Sequence, residues 1–412
     1  LDNFHVPSCN GVIKSDRLPG RNRFFEDRRQ KETYMNLIDI PTPALILDLA
    51  PLRRNCAAMR RRMEDLGVEM RPHAKTPKSI DVAHIATEGF NGALTVSTLK
   101  EAEYFIHNGV TDITYAVPIE PAKLDQIPEL QRAAAVHILT DNVDTAKIIA
   151  RRGEELRACF SVFIEIDTGY GRSGLKAGDD ELVAIGQILN NGAFTAVQGV
   201  LSHAGHSYGA KNVDEIKAIA AQERDGLVAA ADELRSAGVE CPVVSAGSTP
   251  TMRFAADLTG VNEARPGNYQ FYDLYQAGLG CCPIEDIAVS VLSSIISVHP
   301  ERNHALCDAG GLALSLDHGA HEGPNPGVGY GLVRDIANSE NFGDVIVNKT
   351  SQEHGWLASR NDNTMPFGAM PVGGRIRILP NHSCMTAAAY DKYYVVDGGA
   401  EVVDQWFRVN YW

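Results

Sequence analysis

The sequence predicts an α/β protein: a (β/α)8 TIM-type barrel followed by a mostly antiparallel β domain. Three observations predict it. Between residue 44 and about residue 275, short β-rich runs alternate with longer amphipathic stretches, giving about nine strand candidates. The first of these, ALILDL, is not followed by the glycine-rich turn that opens an open dinucleotide-binding sheet, which favours a closed barrel. After about residue 283 the helical patterns give way to strands joined by Gly, Pro and Asn turns.

The elements follow in order. Residues 1–34 are polar, Arg-rich and without a convincing period, and are read as an extension outside the core, a leader or upstream read-through; Met35 opens the patterned region. ALILDL (44–49) precedes a stretch in which Leu52, Cys56, Met59, Met63 and Leu66 recur at helical spacing. VEMRPHAK, GALTVST, DITYAV, AVHILTD, SVFIEID, AVQGVLSHAG, VVSAGS and EARPGNYQFY then recur at even intervals, separated by helical patterns such as LKEAEYFIHNG. IAVSVLSSIISV, HALCDAG, RIRILP, YYVVDG and EVVDQWFRV read as strands of the second domain. The resulting division is 1–34 extension, 35–280 barrel and 281–412 β domain, with a barrel-closing segment returning from the extension as the alternative.

Composition narrows the function. A chain of 412 residues with 44% hydrophobic and 22% charged residues is that of an ordinary globular protein. No stretch approaches the roughly 18 apolar residues of a membrane helix, and no signal-peptide core is visible, so a cytoplasmic location without a membrane partner is expected. The net charge of −14 argues against a nucleic-acid partner. Eight scattered cysteines with no CxxC pair argue against a disulfide scaffold.

The chemistry is expected at the C-terminal ends of the barrel strands. RPHAKTPKS places His73 and Lys75 at such an end; a lysine there, between a strand and a helix, is a candidate reactive amine. Further ends bring Asp167, Thr168 and Arg172 (EIDTGYGRSG), His203 and His206 (SHAGHSY), Ser245, Gly247, Ser248 and Thr249 (SAGSTPT), and Glu263, Arg265, Gly267, Asn268 and Tyr272 (EARPGNYQFYD). In SAGSTPT, Gly247 permits close backbone approach, Ser248 or Thr249 caps a helix and Pro250 suits its first position. Such a helix start is a phosphate site. On the motif alone a plain capped helix is the commoner reading, and a lone lysine is usually solvated. Together, a lysine at one strand end and a phosphate cradle at another point to pyridoxal phosphate held as a Schiff base.

RPHAK, IDTGYGRSG, SHAGHSY, SAGSTPT and ARPGNYQFYD, in this order, resemble the barrel of the alanine-racemase-type (fold type III) pyridoxal phosphate enzymes, and within them the D-serine dehydratase / D-threonine aldolase family. The resemblance runs from about Ile40 to the C-terminus. It implies Lys75 as the Schiff-base residue, Arg172 near the phenolic oxygen, His203 beside the ring and Arg265 facing the pyridine nitrogen, an arrangement that leaves the ring unprotonated. It implies the phosphate at Ser248, Thr249, Gly267 and Asn268, with Tyr272 among the cofactor contacts. In the second domain, ILPNHSCMT sets His382 and Cys384 two apart at the end of a strand pattern, so that both face one way. By itself this is more often a buried thiol beside a histidine; the resemblance makes the pair two zinc ligands, with manganese or another divalent ion as the alternative. D-Threonine aldolases often carry a carboxylate where this chain has Cys384, which leans the expectation towards dehydration.

The expected function is a pyridoxal-phosphate- and zinc-dependent lyase, working as a homodimer, that converts D-serine, D-threonine or D-threo-3-hydroxyaspartate to a 2-oxo acid and ammonia. One alternative is retro-aldol cleavage to glycine and an aldehyde, with His206 or metal-bound hydroxide as base; a distant one is a non-catalytic carrier of the cofactor. Tyr208, Asp308, Asp317, His318, His321 and His354 are weighed as pocket residues and set behind His206.

Overall fold

The computed structural model describes residues 35–319 and 328–412. The expectation for 1–34 and His321 therefore lie outside the described residues. In chain order the elements begin with β1 (Met35–Asn36), β2 (Ala44–Asp48) and α1 (Leu49–Asp65). Next come β3 (Glu69–Met70), α2 (Ile80–Ala86), β4 (Leu94–Val96), α3 (Leu99–His107), β5 (Asp112–Pro118), α4 (Ile127–Leu130), β6 (Ala135–Thr140), α5 (Val143–Leu156) and β7 (Phe160–Ile166). They are followed by α6 (Asp180–Asn191), β8 (Thr195–Ser202), α7 (Val213–Ser236), β9 (Val243–Ala246), α8 (Thr249–Phe254), β10 (Glu263–Ala264) and α9 (Leu274–Gly278). The last part holds β11 (Val289–His299), β12 (His304–Cys307), α10 (Gly311–Leu314), β13 (Leu332–Asp335), β14 (Val345–Thr350), β15 (Gly355–Ser359), β16 (Arg375–Leu379), α11 (Ser383–Ala387), β17 (Lys392–Val396) and β18 (Glu401–Phe407).

Strands β3 to β10 form one parallel sheet in the order β3-β10-β9-β8-β7-β6-β5-β4. The ring closes just beyond β3, where His73 bridges Thr95; Ala74 N donates to Thr95 O at 2.8 Å and Thr95 N to Pro72 O at 3.0 Å. The barrel is therefore the closed eight-stranded one expected, and its closing bridge lies two residues before Lys75.

The second sheet has ten strands, ordered β1-β18-β17-β2-β11-β12-β15-β14-β13-β16, with β11 also paired to β16. That extra pairing closes β11, β12, β15, β14, β13 and β16 into a six-stranded antiparallel ring. One sequence expectation is corrected here. ALILDL, counted among the barrel strands, forms β2, which pairs with β11 and β17 of the second sheet. All five residues of β2 are buried, and a wholly buried strand has the same apolar run in either setting. Strands β13, β14 and β15 are additions to those read from the sequence.

Two segments dock the sheets together at the mouth of the barrel. Leu274 N donates to Pro380 O at 3.0 Å and Tyr275 N to Asn381 O at 3.2 Å, which seats the turn before α11 on the start of α9. Among the described residues no helix is long and apolar enough to cross a membrane.

Candidate active site

Lys75 lies in the turn after β3 and lines two cavities of about 330 Å³ each, which share His73, Lys75, Arg172, His203 and Arg265. Its Nζ has no hydrogen-bond or ion-pair partner among the described residues, while its backbone N–H donates to His73 Nδ1 at 3.3 Å. His73 is held well below its ordinary pKa by burial and by the charges of Lys75 and Arg265. The lysine therefore faces the cavity beside a neutral imidazole.

His203 stands opposite on the segment after β8. Its Nδ1 is 2.7 Å from Gly247 O, an acceptor only, so Nδ1 carries the proton. Burial and the nearby Lys75 push its pKa down to about 3, leaving a flat, uncharged ring. Arg172 is half exposed, lies over Tyr170 and is 3.7 Å from the buried Glu165. Its loop is shaped by Asp167, whose Oδ1 accepts from the N–H groups of Gly169 and Gly171, both at 2.9 Å. Arg265 is buried, donating through Nε to Ser245 Oγ at 2.7 Å and through Nη2 to Ser202 O. Burial lowers its pKa to about 10 against the carboxylates of Glu263, Glu223 and Glu165, so it stays protonated.

Ser248 caps α8 in a capping box with Thr251, and Pro250 occupies the first turn, as the SAGSTPT spacing implies. Gly247 has φ +155°, and a Cβ there would sit 2.8 Å from Arg265 N. A Cβ on Gly267 would sit 2.9 Å from His73 Cβ. Both glycines are thus required by close backbone approach around the cradle. Behind it stands a residue that the motifs do not include, Glu223 of α7. Its Oε1 accepts from Ser202 Oγ (2.9 Å), Ala204 N (3.1 Å) and Gly247 N (3.1 Å), and its Oε2 from Thr251 Oγ1 (2.9 Å). One buried carboxylate therefore fastens the segments carrying His203, Ser248 and Thr249. The sequence does carry its signal: Glu223 falls on the buried stripe Ile216, Ile219, Ala220, Leu227, Ala230 and Leu234, where an apolar residue is expected.

From the second sheet, His382 and Cys384 line the same cavity as Lys75. They do not extend β16, as their strand-like spacing implies. His382 is the N-cap of α11 and Cys384 lies in its first turn, so helix geometry brings them together. Asp317 Oδ2 lies 2.6 Å from His382 Nδ1, which fixes that proton. Burial opposes the charged ring, but hydrogen bonding to Cys384 and the charges of Cys384 and Asp273 raise its pKa to about 10, so Nε2 would give up its proton on becoming a ligating nitrogen. Burial raises the Cys384 thiol, but hydrogen bonding to His382 and the charges of His382 and Lys75 outweigh it, bringing it down to about 7. Thr76 Oγ1 is 3.1 Å from its Sγ. A thiol drawn towards thiolate beside an imidazole with a carboxylate behind it is a donor set that suits zinc. Among the described residues no cluster of three or more His, Cys, Asp or Glu side chains forms a complete metal cage.

The cavity also fits pyridoxal phosphate: an unpartnered amine, a neutral ring, two cations and a glycine-lined helix start converge on it. Two expected residues do not converge. His206 is absent from the lining and stacks on Tyr170, its ring centroid 6.4 Å away, because the short turn at Gly205–Gly209 sends His203 inward and His206 behind the tyrosine. Tyr272, buried and with its backbone at φ +49°, lines a separate cleft of about 830 Å³ between α1 and the segment after α8. Of the residues set behind His206, Tyr208 lines the cavity and Asp317 holds His382; Asp308 binds Thr42, Ser293 and Ser294 instead, and His354 is exposed.

Residues 47–274 match the family model described as alanine racemase, N-terminal domain, and residues 288–396 match the putative serine dehydratase domain. D-threo-3-hydroxyaspartate dehydratase of Delftia sp. (strain HT23) is 42% identical over 380 residues, covering 91% of this chain and 99% of that one. The chain belongs to the D-serine dehydratase branch of the alanine-racemase-like family. The resemblance carried by the five motifs is thereby borne out. Within this branch, D-serine dehydratase of Dictyostelium discoideum is 34% identical over 405 residues, 92% of this chain and all of that one. The solved structure of the Delftia dehydratase superposes with a TM-score of 0.87 at 41% identity, over 92% of this chain and 100% of that one. Another structure of that enzyme is a cysteine-to-alanine mutant in the metal-free form. D-Threonine aldolase of Arthrobacter sp stands further off, at 27% over 376 residues, 90% of this chain and 92% of that one.

Proposed function

We propose that the chain is a pyridoxal-phosphate- and zinc-dependent lyase that dehydrates D-3-hydroxy amino acids, with Lys75 as the reactive amine and His382 and Cys384 as metal ligands. The observation that carries this reading is the meeting of Lys75 and the His382–Cys384 pair, from different sheets, in one cavity. When bound, pyridoxal phosphate supplies an electron sink for the pair left at Cα, and zinc supplies a Lewis acid for the β-hydroxyl.

The chain's own residues do the rest. Lys75 Nζ is the amine that would hold the cofactor and, when free, would accept the proton from Cα. The neutral His203 ring gives the cofactor a flat, uncharged face. Arg265, protonated and donor-only, offers no acceptor for a pyridinium proton and would leave the pyridine nitrogen unprotonated, so expulsion of hydroxide would depend on help at the β-carbon. Asp317 orients His382 for that task, and Cys384 adds a soft thiolate.

Dehydration is favoured over aldol cleavage on two grounds. The more similar relatives are dehydratases, and His206, the protein base named for aldol cleavage, stands behind Tyr170. Incubating the protein, cofactor and zinc with D- and L-3-hydroxy amino acids is expected to yield 2-oxo acid and ammonia from D-substrates only. Glycine with an aldehyde as the main products would overturn the assignment. D-threo-3-hydroxyaspartate and D-serine are the substrates to try first.

A cytoplasmic homodimer completes the proposal. Leu312, Leu316 and Met385 are exposed beside the metal-ligand segment, an apolar face that a second copy would cover. Light scattering should give twice the chain mass; a monomer at micromolar concentration would count against it.

A further inference from the structure

We infer that Asp273 is a positioning residue that joins the two halves of the site, so that metal occupancy at His382 and Cys384 tightens the grip on the cofactor phosphate. The inference rests on the proposed metal reading of that pair. Asp273 is 1% exposed and caps α9, its Oδ1 accepting from Gln276 N at 2.9 Å. Its Oδ2 accepts from Asn268 Nδ2 at 2.7 Å, from Ser383 N at 3.0 Å and from Ser383 Oγ at 3.3 Å. Asn268 is a proposed cradle residue, and with its Nδ2 taken up by Asp273 and Ser383 the group it would offer the phosphate is its backbone N–H; Ser383 lies between the two proposed metal ligands. Asn268 Nδ2 also reaches Ser383 Oγ at 3.1 Å. One carboxylate oxygen therefore holds a cradle residue from the barrel and the centre of the His-Ser-Cys motif from the other sheet.

All the groups around this carboxylate can donate to it, which an acceptor-only side chain satisfies and an amide cannot. Asp273→Asn keeps the shape but sets an N–H₂ against Asn268 Nδ2 and Ser383 N, or, turned over, against Gln276 N. Either arrangement leaves a buried donor unmatched and loosens the joint. Loss of a partner bonded to a ligand costs about ten- to hundred-fold in metal affinity, and Asp273 acts one step further out, through Ser383, so a loss of about tenfold is expected. Because linkage is reciprocal, a joint that orders both sites makes each ligand tighten the other.

The test measures two affinities: zinc on the cofactor-loaded protein, by competition with a chromophoric chelator, and pyridoxal phosphate with and without zinc, from its visible absorbance. In the unaltered protein zinc is expected to tighten the cofactor by about fivefold or more. In Asp273→Asn, with far-UV circular dichroism unchanged, zinc should bind about tenfold more weakly and its effect on the cofactor should vanish. An unaltered protein that binds zinc but holds the cofactor equally well without it overturns the coupling and leaves the metal reading intact, whether or not the variant folds. Wild-type zinc affinity in a folded Asp273→Asn overturns the positioning role. A protein that takes up no zinc overturns both.

Discussion

Changing Lys75 to alanine gives a folded protein that no longer shows the visible absorbance of lysine-bound cofactor and loses turnover by more than about 10³-fold, since the variant loses both a covalent anchor and a general base. The loss is chemical, not structural. Lys75 Nζ makes no hydrogen bond or ion pair among the described residues, while the backbone around it is fixed independently by the His73–Thr95 bridge and by Ala74 N donating to Thr95 O. Removing the side chain thus leaves barrel closure untouched. Spectra of the reconstituted variant and its rate on D-serine check the expectation. An unchanged visible band in Lys75→Ala would take the lysine out of this role, and with it the account of proton removal at Cα.

The site residues legible in the sequence are those whose position follows from a local rule. Lys75, His203 and Ser248 follow strand ends, and strand ends in a barrel share one mouth. The helix start at SAGSTPT is a local property, and of the two caps read there Ser248 is the one found, in a capping box with Thr251. What depended on a turn's inner geometry was not legible. His203 and His206 are three residues apart, and the pattern does not tell which of them a short turn sends inward. Tyr272 belongs to the quoted motif, but its backbone is left-handed there and its buried side chain lines a different cleft. ALILDL was misplaced because full burial erases the period that marks a sheet's face.

Contacts across the chain were the least legible of all. Thr76 and Cys384 lie 308 positions apart and meet at 3.1 Å, and neither has a local pattern that names the other. Asp317 and Asp273 reach the metal-ligand segment in the same way, from a loop and from a helix cap. Glu223 differs, since a charge on an otherwise apolar helical stripe stands out in the sequence itself. A charge placed where burial is expected marks either an error in the helix reading or a fixed set of donors around it.

Those long-range contacts set up the second large effect, at Cys384. Chelation, or Cys384→Ala, should lower product formation by roughly 10³-fold, because a Lewis acid contributes several kcal/mol to a leaving hydroxide. At saturating cofactor the visible band should persist, since Lys75 is the covalent anchor and the segments of His203, Ser248 and Thr249 are fastened by Glu223, even though Cys384 Sγ also contacts Thr76 and Asn268. The pH dependence has a definite sign. The Cys384 thiol is drawn down to about 7, so thiolate is present above that value and is lost as the pH falls through it. Metal retention should therefore weaken on acidification, at a pH well below the ordinary thiol range. Cys384→Asp is the sharper variant: a carboxylate still binds metal but prefers harder ions, so activity should return in part with manganese and products should move towards glycine and an aldehyde. Product analysis separates the outcomes. If Cys384→Ala and the chelated protein both dehydrate D-serine at the unaltered rate, the metal has no part in expelling the hydroxide, and His382 and Cys384 revert to a thiol hydrogen-bonded to a histidine at the edge of the cavity.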